Sequence, residues 1–175
     1  TKSGGAMEMV QLWVNLPAKD KMSPPGYQTL MDGEIPPVAI EGGRVRVIAG
    51  EYAGARGPAK TFTPINIWDV RLNAGAKTEL ALREGHTLAL LVQSGSVKLH
   101  SGESAGASQF ALFERDGGAI AVEAESDAKL LVLSGEPINE PVVQYGPFVM
   151  NTEGEIRQAI TDFNAGKFGD INAFA

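Results

Sequence analysis

The sequence predicts an all-β barrel closed by one C-terminal helix, and three observations carry that reading. Short runs of β-forming residues recur between residues 44 and 133. Glycines punctuate those runs, and helical periodicity is seen only near the end of the chain. The 175 residues include 21 glycines and 10 prolines, spread between the runs rather than clustered, as many short strands joined by tight turns require. With 43% hydrophobic and 21% charged residues the chain is globular, and it is long enough for one well-buried core and part of another.

The elements follow in order. Thr1–Ala6 reads as loop and has no initiator Met. Met7–Leu16 reads as a strand with Val10, Leu12, Val14 and Leu16 on one face. A chain that starts so close to a strand reads either as a fragment whose upstream part is absent or as a processed start, and pattern leaves both open. Pro17–Pro37 contains Pro24-Pro25 and Pro36-Pro37, so an extended crossing between two domains is expected. Arg44–Ile48 alternates with Val45 and Val47 inward, and in Ile65–Leu72 Val70 and Leu72 share a face. Leu88–Val92 is continuously apolar, as a strand buried on both faces would be. Val97–Leu99, Phe110–Phe113, Ala119–Val122 and Leu130–Leu133 complete the set. Thr152-Glu153-Gly154-Glu155 then forms a capping box, and Ile156, Ala159, Ile160 and Phe163 fall at helical spacing up to a stop at Gly166. This predicts one amphipathic helix packed on the barrel or on a neighbouring domain.

Composition excludes several function classes. The net charge of -6, with no Lys/Arg run, argues against direct nucleic-acid binding, which needs a basic face. The absence of cysteine removes disulfides, zinc-thiolate sites and cysteine nucleophiles. No apolar stretch approaches the roughly 20 residues of a membrane span, and no secretory signal opens the sequence. The expectation is a cytoplasmic protein without a membrane partner.

Set against the metal-site pattern of the cupin superfamily, the glycines acquire a register. That pattern reads G-x5-H-x-H-x3/4-E-x6-G, followed on a later strand by P-x-G-x2-H. Anchored on Gly75 and Gly95, it puts Ala81, Arg83 and Leu88 in the His, His and Glu slots, with the later His slot near Ala128. None of these can usefully ligate a transition metal. The expectation is a cupin-type β-barrel (a double-stranded jelly roll) with an empty socket around Ala81 and Ala128.

The chain resembles the C-terminal half of a pirin, a two-barrel member of that superfamily. The resemblance runs from about Gln11 to Gly169. It is most specific in Gln11-Leu12-Trp13-Val14-Asn15-Leu16-Pro17-Ala18-Lys19-Asp20-Lys21-Met22 and Pro24-Pro25-Gly26-Tyr27-Gln28. Gly57-Pro58-Ala59 with Thr63-Pro64-Ile65, and Gly146-Pro147-Phe148-Val149-Met150-Asn151-Thr152 followed by Glu155-Ile156-Arg157-Gln158-Ala159-Ile160, extend it. The resemblance implies a parent with one iron held by three His and one Glu in an N-terminal barrel. Neither the His-x-His nor the His-x-Glu element exists here, and His86 and His100 match neither. It further implies quercetin 2,3-dioxygenase activity on a flavonol, or, as the alternative, a redox-sensing transcriptional co-regulator that works through protein partners without catalysis.

The expected organisation is residues 1–17 as the last strand region of an otherwise missing N-terminal cupin barrel, 18–37 as a crossing loop, 38–150 as the C-terminal cupin barrel, and 151–169 as the helix. No catalytic, cofactor-binding or metal residue is expected in this chain, which alone should be inactive; iron belongs to the missing half, which is also the expected partner. Individual candidates read accordingly. His86, after Glu84-Gly85, is a turn residue on a backbone carbonyl rather than a ligand, and His100 likewise. Ser101, Glu103 and Ser104 read as loop. Arg83 and Glu84 could meet a small-molecule carboxylate, but a solvated rim is favoured. Asp69 and Arg71 face solvent or pair with neighbours, and Trp13 and Trp68 are packing anchors. Glu123, Glu125 and Asp127 form a hydrated acidic hairpin, lacking the glycine and ligand count of a calcium loop.

Overall fold

The structure, a computed structural model, describes residues 4, 5 and 7–169. Its contacts define two compact units: one spans Pro24–Pro137, and the other combines the chain up to Ser23 with the chain from Ile138 onward.

The central unit is the barrel. Its strands are β1 (Pro37–Ile40), β2 (Gly43–Ala49), β3 (Glu51–Tyr52), β4 (Ala55–Arg56), β5 (Ile65–Leu72), β6 (Lys77–Ala81), β7 (Thr87–Ser94), β8 (Ser96–Leu99), β9 (Ser104–Gly106), β10 (Phe110–Phe113), β11 (Ala119–Ala124) and β12 (Ala128–Gly135). Six form a sheet in the order β1-β2-β5-β12-β7-β10, and four form a second in the order β6-β11-β8-β9. Every ladder is antiparallel. Period-two alternation sends one face of each strand inward. Val45, Val47, Trp68, Val70, Leu80, Leu90, Val92, Val97, Val122, Leu130 and Val132 make one shared core. Each such side chain contributes about 1.5–3 kcal/mol by leaving water. The continuous apolar run of β7 is buried at Leu88, Ala89 and Leu90 in succession, as its composition predicts. Gly95 joins β7 to β8 at a φ of +78°, and a Cβ there would lie 2.1 Å from the Asp127 carbonyl oxygen, so both conformation and space demand glycine.

The terminal unit is built differently. Met7–Leu16, expected as a strand, has no regular secondary structure. A strand is defined by a ladder, and no partner strand lies beside this segment among the described residues. The crossing segment, divided between the two units after Ser23, holds only the 3-10 turns Ala18–Asp20 and Asp32–Glu34. After the barrel, β13 (Val143–Tyr145) and β14 (Phe148–Met150) form a hairpin, and α1 (Glu153–Asn164) follows. Residues 138–150, read from sequence as barrel, thus group with the chain's ends. The capping box is in place: Glu155 N–H donates to Thr152 Oγ1 at 3.2 Å, and Thr152 N–H donates to Glu155 Oε2 at 2.8 Å. Helix α1 and the turn after it pack on the hairpin through Phe148, Phe163 and Phe168, with centroids 5.9 to 6.4 Å apart. Lys21 Nζ ties the two ends together, donating to Asn15 Oδ1 at 2.7 Å and to the Val149 carbonyl at 3.3 Å.

Candidate functional site: the mouth of the barrel

The socket positions converge at one end of the barrel. Strand β6 ends at Ala81, and Leu82 N–H continues its ladder to the Gly118 carbonyl at 2.7 Å. A turn then runs from Arg83 to His86, closed by His86 N–H on the Arg83 carbonyl at 3.3 Å. Gly85 occupies its third place at a φ of +81°, as a type II turn requires. Strand β7 starts at once, and Leu88 pairs with Ser134 of β12. On the other sheet Ala119 lies opposite Ala81 and Ile120 opposite Leu80.

The fourth socket position is therefore not Ala128. That residue pairs with Leu72 at the far end of β12, six residues from Ser134 and so about 20 Å away along the strand. The physical reason is strand direction. Strand β11 runs antiparallel to β6, so its first residues, Ala119 and Ile120, lie beside Ala81, and the end of β12 at Ser134 lies beside Leu88. Ala81, Arg83, His86, Leu88, Ala119, Ile120 and Ser134 offer a cation, one imidazole and one hydroxyl, a donor set that does not fit iron. Among the described residues no group of three or more His, Asp or Glu side chains is placed to hold a metal.

Two open clefts flank this end. One, of about 870 Å³, is lined by Leu88, Phe113, Arg115, Ile120 and Ser134. The other, of about 1040 Å³, is lined by Arg56, Lys60, Phe62 and Trp68. They share Leu82, Arg83 and His86. His86 is only 8% exposed, and its Nδ1 lies 3.2 Å from Ser134 Oγ. Burial holds the imidazole below its ordinary pKa, and the Arg83 charge adds to this while Glu136 opposes it. The imidazole is thus neutral at neutral pH and partnered by a hydroxyl, where the sequence suggested a backbone carbonyl. Trp68, 1% exposed, meets Tyr52 edge-on at 4.9 Å, and its indole Nε1 has no hydrogen-bond partner.

The remaining candidates have local partners, with His100, Ser101, Glu103 and Ser104 on the wall of the first cleft. His100 is exposed and stacks on Phe113 at 6.3 Å. Asp69 is buried between Arg46 Nη1 at 2.8 Å and Arg71 Nη2 at 3.4 Å, a pairing within the sheet. The acidic hairpin is used locally. Glu123 pairs with Lys77 at 3.2 Å, Glu125 accepts from Ser104 Oγ at 2.8 Å, and Asp127 accepts from the Ala74 N–H at 2.8 Å. Sequence reasoning missed Ser134 and the unpartnered Trp68 N–H. A serine inside an apolar strand gives no signal of its own, and an orphan donor is visible only once its neighbours are placed.

Residues 67–169 match the pirin C-terminal cupin domain. The chain belongs to the pirin family. A Pseudomonas aeruginosa protein provisionally named a quercetin 2,3-dioxygenase is 51% identical over 168 residues, covering 95% of this chain and 58% of that protein. Human pirin is 37% identical over 164 residues, covering 91% and 57%. The crystal structure of quercetin 2,3-dioxygenase from Acinetobacter baumannii superposes with a TM-score of 0.87 at 48% identity, covering 91% of this chain and 56% of that one. The chain therefore spans a little over half the length of these proteins, and its fold is that of the pirin C-terminal cupin domain.

Proposed function

We propose that this chain is the metal-free cupin half of an iron-dependent pirin, with the iron, and any quercetin 2,3-dioxygenase activity, in an N-terminal cupin half outside these residues. The observation that carries the reading is the donor set at the barrel mouth: alanine, leucine and isoleucine stand where a metal cupin needs imidazole and carboxylate. The similarity to proteins more than half as long again supports a companion half. So does the terminal unit, where Met7, Met9, Trp13 and Val14 are exposed on a segment of strand-like sequence without a ladder. That segment supplies the last strand region of the N-terminal barrel, and the barrel described above is its structural partner.

No step of an iron-based reaction is assigned to these residues, because no group of three or more ligand side chains is placed to hold the ion among the described residues. The test is oxygen uptake with quercetin by the full-length protein reconstituted with ferrous iron. Iron-dependent uptake by the whole protein, none by this chain, supports the division. Absence of uptake by the whole protein removes the dioxygenase reading in favour of a redox-sensing co-regulator, for which partner binding would depend on the iron oxidation state. Uptake by this chain alone would refute the division itself.

A further inference from the structure

We propose that the cleft between the Arg83–His86 turn and the loop of residues 56–64 binds a small aromatic carboxylate, independently of any metal. Charge is the first observation. Arg56, Lys60 and Arg83 line this cleft against a single acid, Glu51, although the chain as a whole carries -6. The neighbouring cleft sets Arg83 and Arg115 against Glu103, Glu114 and Asp116, so its acids outnumber its cations and it does not select an anion. Arg56, Lys60 and Arg83 have no ion pair among the described residues. A guanidinium without a carboxylate can fork onto one supplied by a ligand.

The second observation is the unused donor capacity behind those charges. Trp68 lines the cleft, is almost fully buried, and has no acceptor for its indole N–H. Buried donors are nearly always satisfied, so an unpaired indole N–H on a residue that lines the cleft leaves a hydrogen-bond capacity there unused. His86 commits Nδ1 to Ser134, and its Nε2 has no partner among the described residues. The polar groups thus ask for an oxygen acceptor bearing negative charge.

The walls select the rest of the ligand. Phe62, Pro58, Pro64 and Ile65 accompany Trp68 around the cleft, a lining suited to a flat apolar body. The 56–64 loop is already held in place. Gln28 clasps Lys60 through two bonds of 2.9 Å, one to its carbonyl and one from its N–H, and Ala59 N–H reaches the Ile48 carbonyl at 3.1 Å. Little loop ordering is left for a ligand to impose.

The test uses benzoate, with benzamide as its uncharged counterpart, on the 15N-labelled chain. The two tryptophans give two indole N–H signals, assigned by Trp13→Phe. Benzoate should move the Trp68 signal saturably, and benzamide should bind about ten-fold more weakly or worse. Arg83→Gln, on an exposed turn, should weaken benzoate about ten-fold while leaving the rest of the spectrum folded. The inference is overturned if benzoate up to about 10 mM leaves the Trp68 signal unmoved. It is equally overturned if benzamide matches benzoate or if Arg83→Gln binds benzoate unchanged. None of these readouts involves iron or turnover, so the proposal stands or falls apart from the dioxygenase reading.

Discussion

The two tryptophans of the chain occupy opposite situations, and the contrast separates the two units. Trp68 is 1% exposed at the centre of a barrel whose strands all find partners and whose apolar faces meet one another. Trp13 is 69% exposed on a segment with the alternation of a strand but no ladder, close in sequence to the exposed Met7, Met9 and Val14. The sequence marks both as packing anchors. The difference is that the apolar surface of one unit is consumed internally, while that of the other remains available to a partner.

Substitution at the two sites should expose this asymmetry. Trp68→Ala should cost about 3–5 kcal/mol, read by chemical denaturation, because it empties the middle of a closed core. Gly95→Ala should follow at about 2 kcal/mol or more, since it combines a positive φ with a collision on the Asp127 carbonyl. Thr152→Ala should cost about 1 kcal/mol and fall on the terminal unit, seen as faster amide exchange in the first turn of α1. Trp13→Ala should change the stability of this chain by no more than about 0.5 kcal/mol. If Trp13→Ala proved as damaging as Trp68→Ala, the contrast would collapse.

A smaller effect sharpens the picture of the barrel mouth. The folded-state pKa of His86 is lowered, first by burial and then by Arg83. The contribution of the neutral imidazole is therefore complete above the unfolded value of about 6.5 and is lost as pH falls through it toward the lower folded value. Relative to His86→Asn, the parent chain should lose extra stability between about pH 7 and pH 5. Parallel stability curves would show that the imidazole is not buried neutral against Ser134.

Much of the barrel was legible because burial imposes a period. Val45, Val47, Val70 and Leu72 alternate as written, and the unbroken run in β7 betrays a strand covered on both faces. The capping box of α1 was readable because its chemistry is local. Strands β6 and β9 and the β3–β4 hairpin were missed, since Lys77–Ala81 mixes charge with small residues and the others are only two or three residues long. Met7–Leu16 shows the converse: alternation states what a segment could pair with, but a ladder needs a second strand. At the mouth, spacing identified Ala81, Arg83 and Leu88. The fourth position failed because it depends on strand direction across two sheets, which linear spacing does not encode.

Iron binding is the most direct test of the account. The purified chain, incubated with ferrous iron under anaerobic conditions and then desalted, should retain far less than one equivalent by elemental analysis, and Arg83→His alone should not restore it, because Ala81, Leu88 and Ile120 still offer no donor. Retention of one tightly held iron per chain, lost on changing His86, would show that the mouth of this barrel is a metal site after all.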